Sequence, residues 1–175
     1  MFREMRRNKQ LLPQEETNRI LTLATSGVLA LQGDQGYPYA LPISFAYSQG
    51  RLYFHSASAG HKVEAVRRCP KASFCVVAGD QVRPEAFTTH YTSVIAFGLV
   101  RVLEDPKEIR GGMEALVEKY CPQVDPALRE KTIAQGLSRT CVLEMEIQHI
   151  TGKEALELAK ARQAMGGLPG FCGKQ

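Results

Sequence analysis

Short strand-like runs and tight turns fill most of the first half of the chain, after one amphipathic helix. Pro13 suits the first turn of that helix, and Ile20, Leu21 and Leu23 follow at helical spacing. From Val28 onward the apolar runs are short and end at glycine-containing turns, which is typical of hairpins. The pattern predicts strands at 28–32, 37–47 and 51–56, with turns at 33–36 and 48–50.

Two prolines, Pro38 and Pro42, fall inside the second of these strands. Because proline has no backbone N–H, it cannot donate to a hydrogen-bond ladder. We therefore expect this strand to lie at a sheet edge, or to need no donor at those two places.

Longer apolar strands and helices make up the second half. A short helix at 61–68 is predicted to stop at Pro70, and apolar β runs at 72–78 and 91–103 enclose a polar loop. The remaining predicted elements are an alternating, half-buried strand at 141–148 and a final helix at 154–162.

Two further helices are predicted from Asp-Pro pairs. Asp105 and Asp125 each precede a proline, and this combination is favoured because aspartate caps a first turn in which proline fits. Glu108 stands at the capping-box position of the first helix. The second helix ends near Gly136. The first carries an apolar stripe at helical spacing, formed by Ile109, Met113, Leu116, Val117 and Tyr120.

The order of these elements predicts a mainly β fold, an antiparallel barrel of about six strands with helices packed outside it. A doubly wound fold would need strict alternation of strands and helices. The length of 175 residues suits one domain with one core. We assign residues 1–164 to this domain and residues 165–175 to a flexible, glycine-rich tail.

Charge and cysteine usage exclude several classes of protein. A formal net charge of +4 is too small to indicate a nucleic-acid groove. Basic residues crowd the first ten positions, but no long apolar run follows them, so we expect neither a signal peptide nor a membrane span. The five cysteines are odd in number and form no C-x-x-C pair, which favours reduced thiols and a cytoplasmic location.

The segment from 53 to 62 is the strongest candidate binding site. A strand ends there, a loop of small residues follows, and a helix begins with Lys62 in its first turn. A helix start offers free N–H groups, Gly60 allows close backbone approach, and Ser56 and Ser58 add hydroxyl groups. With Arg67 or Arg68 nearby, these groups describe a phosphate cradle. An ordinary serine-capped helix with a solvated lysine is an equally good interpretation.

Other motifs are weaker. No G-x-G-x-x-G sequence follows a strand, no G-x-S-x-G sequence is present, and the tail from Gly170 to Gln175 lacks the Ser/Thr of a P-loop. His55, His61 and Cys69 match no zinc spacing, so locally hydrogen-bonded histidines are favoured and no metal site is predicted.

Several blocks of sequence, spread over nearly the whole chain, resemble the Nim-type nitroimidazole-resistance proteins. Each block is weak alone, but their order and spacing make the resemblance specific. The blocks are residues 1–7, 36–40 with Pro42, 53–57 with 60–62, 71–76, 93–95 with 97–98, and 151–155.

The resemblance implies a pyridoxamine-phosphate-oxidase-like split β-barrel that is a homodimer with FMN held between the subunits. It implies that the phosphate meets Ser56 and Lys62 beside Gly60, and that Ser93 assists from a neighbouring strand. His55 matches the histidine that lies near the flavin ring and is implicated in drug binding or reduction. The ring is implied to lie along Ala40, Leu41, Pro42, Ile43 and Ser44.

Two hypotheses of function follow. The first is an FMN-dependent oxidoreductase that reduces the nitro group of 5-nitroimidazoles and related nitroaromatic compounds. The second is a binding protein, either a non-catalytic flavin carrier or a haem-binding barrel with His55 or His61 as axial ligand. The wall of the pocket around Thr89–Thr92 stays unassigned in both.

Overall fold

The computed structural model describes residues 1–137 and 140–164, so the predicted tail at 165–175 lies outside the described residues. Within them the chain forms a single sheet of seven strands and five α-helices. The strands are β1 (Ser26–Gln32), β2 (Pro38–Ser44), β3 (Ala46–Ser48), β4 (Arg51–Ser56), β5 (Lys71–Arg83), β6 (Thr88–Val102) and β7 (Cys141–Glu154). The helices are α1 (Gln14–Leu23), α2 (His61–Arg68), α3 (Pro106–Tyr120), α4 (Pro126–Gly136) and α5 (Leu156–Ala164).

The sheet is antiparallel throughout and curls into an open barrel. Its strand order is β2-β1-β5-β6-β7-β4-β3, so β2 and β3 are its two edges. A single residue, Phe45, connects these two edges along the chain. The sheet must therefore curl until its edges meet at Phe45, although no ladder closes it. This confirms the predicted fold class and the edge position of the strand with two prolines.

The concave face of the sheet carries the main core. Leu29, Phe54, Phe74 and Leu143 project from four different strands and are at most 1% exposed. Residues of α1 and α2 join the same cluster, including Ile20 and Val63. A smaller cluster lies on the other side of β4 and β7, where α3 and α4 pack, and it contains Leu103, Met113, Ile133 and Val142.

The end of α3 holds the Phe45 corner together. The hydroxyl of Tyr120 accepts a hydrogen bond from the Phe45 N–H at 3.0 Å and can donate to the carbonyl of Phe45 or of Thr25. Lys119 Nζ donates to the carbonyl of Ala24 at 2.5 Å and lies 4.0 Å from the centroid of the Phe45 ring. Burial lowers the pKa of Lys119 to about 8.

Three sequence predictions need correction. The predicted strand at 37–47 is two strands, because Phe45 turns the chain into the core and belongs to neither. The predicted polar loop between the two β runs is instead a continuation of β5 and β6, which pair as far as Arg83 and Thr88. This part of the two strands is largely exposed to solvent, so polar side chains are compatible with it. The final helix begins at Leu156, because β7 continues to Glu154.

The predicted helix caps form, with one difference. Asp105 accepts from the N–H groups of Lys107 and Glu108, and Asp125 accepts from Leu128. Glu108 does not complete a capping box, because its carboxylate binds the guanidinium of Arg101 at 2.7 and 2.9 Å. None of the described helices has the length and apolar character needed to cross a membrane.

Candidate functional site

An open seam separates the two edges of the barrel. We define it by β2 (Pro38–Ser44) on one side and by residues 54–56 of β4 on the other. β3 pairs with β4 only from Arg51 to Tyr53, so residues 54–56 have β7 as a neighbour on one side alone. The seam begins at Phe45, and the first turn of α2 lies at its far end.

The first turn of α2 lies near both sides of the seam. On the β2 side, the His61 ring stacks on Tyr39 with 4.0 Å between ring centroids. On the β4 side, Lys62 is close enough to Cys141 for their charges to interact, and Cys141 is the β7 partner of Ser56. The helix start therefore closes the seam at the end opposite Phe45.

Backbone groups of β2 point into the seam at alternate residues. The Gly33 N–H donates to the Tyr37 carbonyl at 2.8 Å, so these two residues form a hydrogen-bonded pair. Because such pairs alternate along an antiparallel ladder, every second residue of β2 from Pro38 onward turns its backbone away from β1. Both prolines occupy positions of this kind, so their missing donors cost the ladder nothing. The seam receives the N–H groups of Ala40 and Ser44 and the carbonyls of Pro38, Ala40, Pro42 and Ser44.

The same reasoning applies to β4. The Leu103 N–H donates to the Val142 carbonyl at 2.9 Å, so the backbone of Val142 faces β6. Its partner on β4 is His55, which must therefore turn its own N–H and carbonyl away from β7 and into the seam.

The side chains of β2 do not enter the seam as a group. Leu41 and Ile43 pack against the main core, whereas Ala40, Pro42 and Ser44 are exposed on the outer face of the sheet. A planar ligand along this strand would therefore be held chiefly by backbone donors and acceptors.

The start of α2 has the geometry of an anion site. Gly60 has a φ of 118°, in the region that favours glycine, and its carbonyl accepts from Val63 and Glu64 at 2.9 and 3.1 Å. No described side chain caps this helix, so the alternative interpretation of an ordinary serine-capped helix is wrong. The N–H groups of His61 and Lys62 find no acceptor among the described residues.

Lys62 is half-buried beside this start, and within the described part of the chain its amine has no carboxylate partner. Burial lowers the pKa of Lys62, an effect that the nearby Cys141 thiol partly offsets. Burial also raises the pKa of Cys141, while the charges of Arg67 and Lys62 oppose that change. Ser56 and Lys62 therefore both lie near Cys141 at one end of the seam, and an anion there would replace the solvation that Lys62 has lost.

Arg68 and His61 serve the hairpin rather than the cradle. Asp34, in the β1–β2 turn, forms an ion pair with Arg68 at 3.0 Å and lies 3.4 Å from the Nε2 atom of His61. Of the two arginines considered from the sequence, Arg68 is therefore engaged by the hairpin, whereas Arg67 makes no ion pair among the described residues. Across the described residues, no three His, Cys, Asp or Glu side chains gather as a metal-ligand set.

Two sequence-predicted site residues lie apart from the cradle. His55 is exposed on the face that carries Val142 and Tyr53, whereas Ser56 faces the other way with Cys141. Ser93 lies on the outer face of β6, beside Val77 and Lys153, with two strands between it and β2.

The outer face of the sheet also exposes an apolar patch that the sequence reasoning missed. Val28, Cys75 and Ile95 lie side by side in neighbouring strands, and Pro42 continues this row at the edge. We call this the outer patch and include Val77 and Phe97, whose exposed fractions are 68% and 38%. Period-two alternation was visible in the sequence, but it did not show that the second face would be left uncovered apart from Phe97, against which the Phe2 ring packs.

Comparisons with known proteins agree with this architecture. Residues 13–154 match the family model described as pyridoxamine 5'-phosphate oxidase. No curated protein sequence matches the chain. Among solved structures, a FAD-binding protein from Mesorhizobium loti is 26% identical, with a TM-score of 0.60 over 83% of this chain and 97% of that one.

Two further solved structures share the fold. A candidate 5-nitroimidazole antibiotic resistance protein from Bacteroides thetaiotaomicron is 20% identical, with a TM-score of 0.71 over 82% of this chain and 86% of that one. A FAD and haem binding protein from Mycobacterium smegmatis is 23% identical, with a TM-score of 0.70 over 93% of this chain and 82% of that one.

Proposed function

We propose that the chain, which belongs to the pyridoxamine 5'-phosphate oxidase family, binds FMN in the seam and uses it to reduce nitroaromatic compounds. The observation that carries the proposal is Lys62, a half-buried cation without a described carboxylate partner, beside an uncapped helix start at the end of a seam lined with backbone donors. The flavin-binding proteins among the structural neighbours support the choice of a flavin.

The cradle suits a terminal phosphate. A phosphate monoester carries about −1.5 to −2 charges at neutral pH. Lys62 and Arg67 offer two positive charges, and the N–H groups of His61 and Lys62 offer two donors at the positive end of the helix dipole. Ser56 adds a hydroxyl at the same end of the seam.

The rest of the seam suits a flat polar ring. From Tyr39 to Ser44 the strand spans about 17 Å at the usual rise per residue, which leaves room for a ring system and a polyol chain in line. The ring of a flavin carries both acceptors and one N–H donor along one edge. The Ala40 and Ser44 N–H groups and the alternating carbonyls of β2 offer the complementary partners.

FMN, when bound, supplies the electrons that reduce a nitro group. Two electrons and two protons convert the nitro group to a nitroso group and water, so the protein must also deliver protons. We assign this role to His55, on the resemblance to Nim-type proteins and because its imidazole is exposed. Its orientation away from Ser56 means that the substrate must approach from the face of β4 that bears Tyr53.

We further propose a homodimer, with the outer patch buried between the two copies. A patch that exposes Val28, Val77, Ile95 and Phe97 on one sheet face is of the kind that marks protein interfaces. A second copy on that face would also bring an occupied seam near Ser93, which one protomer alone does not do.

The nitroreductase proposal is tested with the holoprotein reduced by one equivalent of dithionite under anaerobic conditions, so that no free reductant remains. We expect reoxidation on addition of a 5-nitroimidazole, with the two-electron nitroso product identified by mass. Nitrobenzoate serves as a second nitroaromatic substrate, and benzoate as the control that lacks a nitro group. Flavin that stays reduced in the presence of every nitro compound would show a carrier rather than a reductase.

A further inference from the structure

The far end of the seam is closed by side chains of α2 and of the β1–β2 hairpin. His61 and Lys62 are adjacent, but a helical step of about 100° turns them in different directions. Lys62 lies on the β4 side near Cys141, and His61 lies on the β2 side against Tyr39.

Four contacts link α2 to the β1–β2 hairpin on the β2 side of the seam. The Tyr39 and His61 rings stack with 4.0 Å between centroids and an interplanar angle of 17°. Asp34 binds His61 Nε2 at 3.4 Å and Arg68 Nη1 at 3.0 Å. Arg68 also donates to the Gln32 carbonyl at 3.1 Å, so the hairpin is fastened to both ends of α2.

We infer that the Tyr39–His61 stack determines which flavin the seam accepts, admitting FMN and rejecting FAD. The inference rests on the proposed flavin site. FMN ends at its phosphate, whereas FAD continues through a second phosphate to an adenosine. With the first phosphate at the start of α2, that adenosine would extend past this helix start, where the stack and the Asp34 contacts occupy the β2 side of the seam.

The size of the preference follows from the interactions that FAD must break. Separating an aromatic pair reduces affinity by about 2- to 12-fold, and the exposed Arg68–Asp34 ion pair adds little. We therefore expect the parent protein to bind FMN about 2- to 12-fold more tightly than FAD.

The experiment titrates the full-length chain, freed of bound flavin by dialysis, with FMN and with FAD while flavin fluorescence is followed. His61→Ala removes the stack and the contact with Asp34, and His61→Phe removes only the contact with Asp34. Tyr37→Ala is the matched control, since Tyr37 belongs to the same hairpin but is 72% exposed. The FMN preference is the ratio of the dissociation constant for FAD to that for FMN. We expect this ratio to fall towards one in His61→Ala, mainly because FAD binds more tightly, and to persist in His61→Phe and Tyr37→Ala.

Four results would overturn the inference. A parent protein that binds both flavins equally, or a preference unchanged in His61→Ala, would show that the stack does not select. A parent that prefers FAD and loses this preference in His61→Ala would show that the stack binds the adenine instead. A parent that binds neither flavin would remove the proposed function as well, and that outcome is distinct from the other three.

Discussion

Replacing Lys62 with alanine should weaken FMN binding far more than riboflavin binding. The two ligands share the ring and the polyol chain, and only FMN carries the phosphate. Lys62 is half-buried beside the uncapped start of α2, and burial already lowers its pKa, so it has lost solvation that an anion would restore. Removing it deletes one charge-assisted hydrogen bond to the phosphate and leaves the ring contacts of β2 intact.

The magnitude follows from that single bond. A hydrogen bond between charged groups contributes about 1.5–3 kcal/mol, which corresponds to roughly 10- to 150-fold in the dissociation constant. Riboflavin affinity should change by less than about twofold, since Lys62 does not reach the ring in this arrangement. Half-burial also limits screening, so most of the FMN loss should persist when the salt concentration is raised.

Fluorescence titration of apoprotein with each ligand measures both constants. Lys71→Ala is the matched control, because Lys71 is an exposed lysine at the start of β5. Lys62→Arg keeps the charge and should recover part of the FMN affinity. Equal losses for FMN and riboflavin, or an FMN constant unchanged in Lys62→Ala, would refute the cradle.

Four further outcomes are expected. Tyr120→Phe leaves the Phe45 N–H without its acceptor and should lower the free energy of unfolding, measured in urea, by about 1–3 kcal/mol. The control Tyr37→Phe, at an exposed tyrosine, should change it by close to zero. Equal changes in the two variants would show that the Phe45 corner does not need the Tyr120 hydroxyl. His55→Gln should retain FMN and lose about 10²- to 10⁴-fold in the nitroreductase rate, and a parental rate would remove its assigned role. Ile95→Lys, in the outer patch, should give a monomer by light scattering, and this monomer should not retain FMN. The control Leu128→Lys, at an exposed position of α4, should stay dimeric. A monomer that keeps FMN would contradict the shared site. Lys119 has a pKa of about 8 in the folded chain and a higher pKa in the unfolded chain, so between about pH 8 and 10.5 only the unfolded state binds the proton. The free energy of unfolding should therefore rise with pH in this range, and the rise should be smaller in Lys119→Met. An identical slope in the two proteins would contradict the burial of Lys119.

Local signals predicted much of the fold, and distant contacts decided the rest. Asp105 and Asp125 cap their helices because a cap depends only on the next three residues. The break at Phe45 had no local signal, because apolar and aromatic residues run on from Tyr37 to Tyr47. It depends on Tyr120, which lies 75 residues away and binds the turned backbone.

The site divides in the same way. The positions of Gly60 and Lys62 at the start of a helix were predictable, because a glycine followed by a helix is a local sequence pattern. The choice between Arg67 and Arg68 was not, since it depends on Asp34 across the hairpin. The opposite orientations of His55 and Ser56 were available from the sequence, because adjacent residues of a strand point to opposite faces.

The absorption spectrum of the purified protein tests the central claim most directly. We predict the two visible bands of an oxidised flavin, which bleach on reduction by dithionite, and release of FMN on heat denaturation, identified by mass. A Soret band would instead show a haem protein, for which exposed His55 is a better axial ligand than His61, because His61 is stacked on Tyr39 and paired with Asp34. Either that band, or protein that stays colourless after incubation with FMN, would contradict the account.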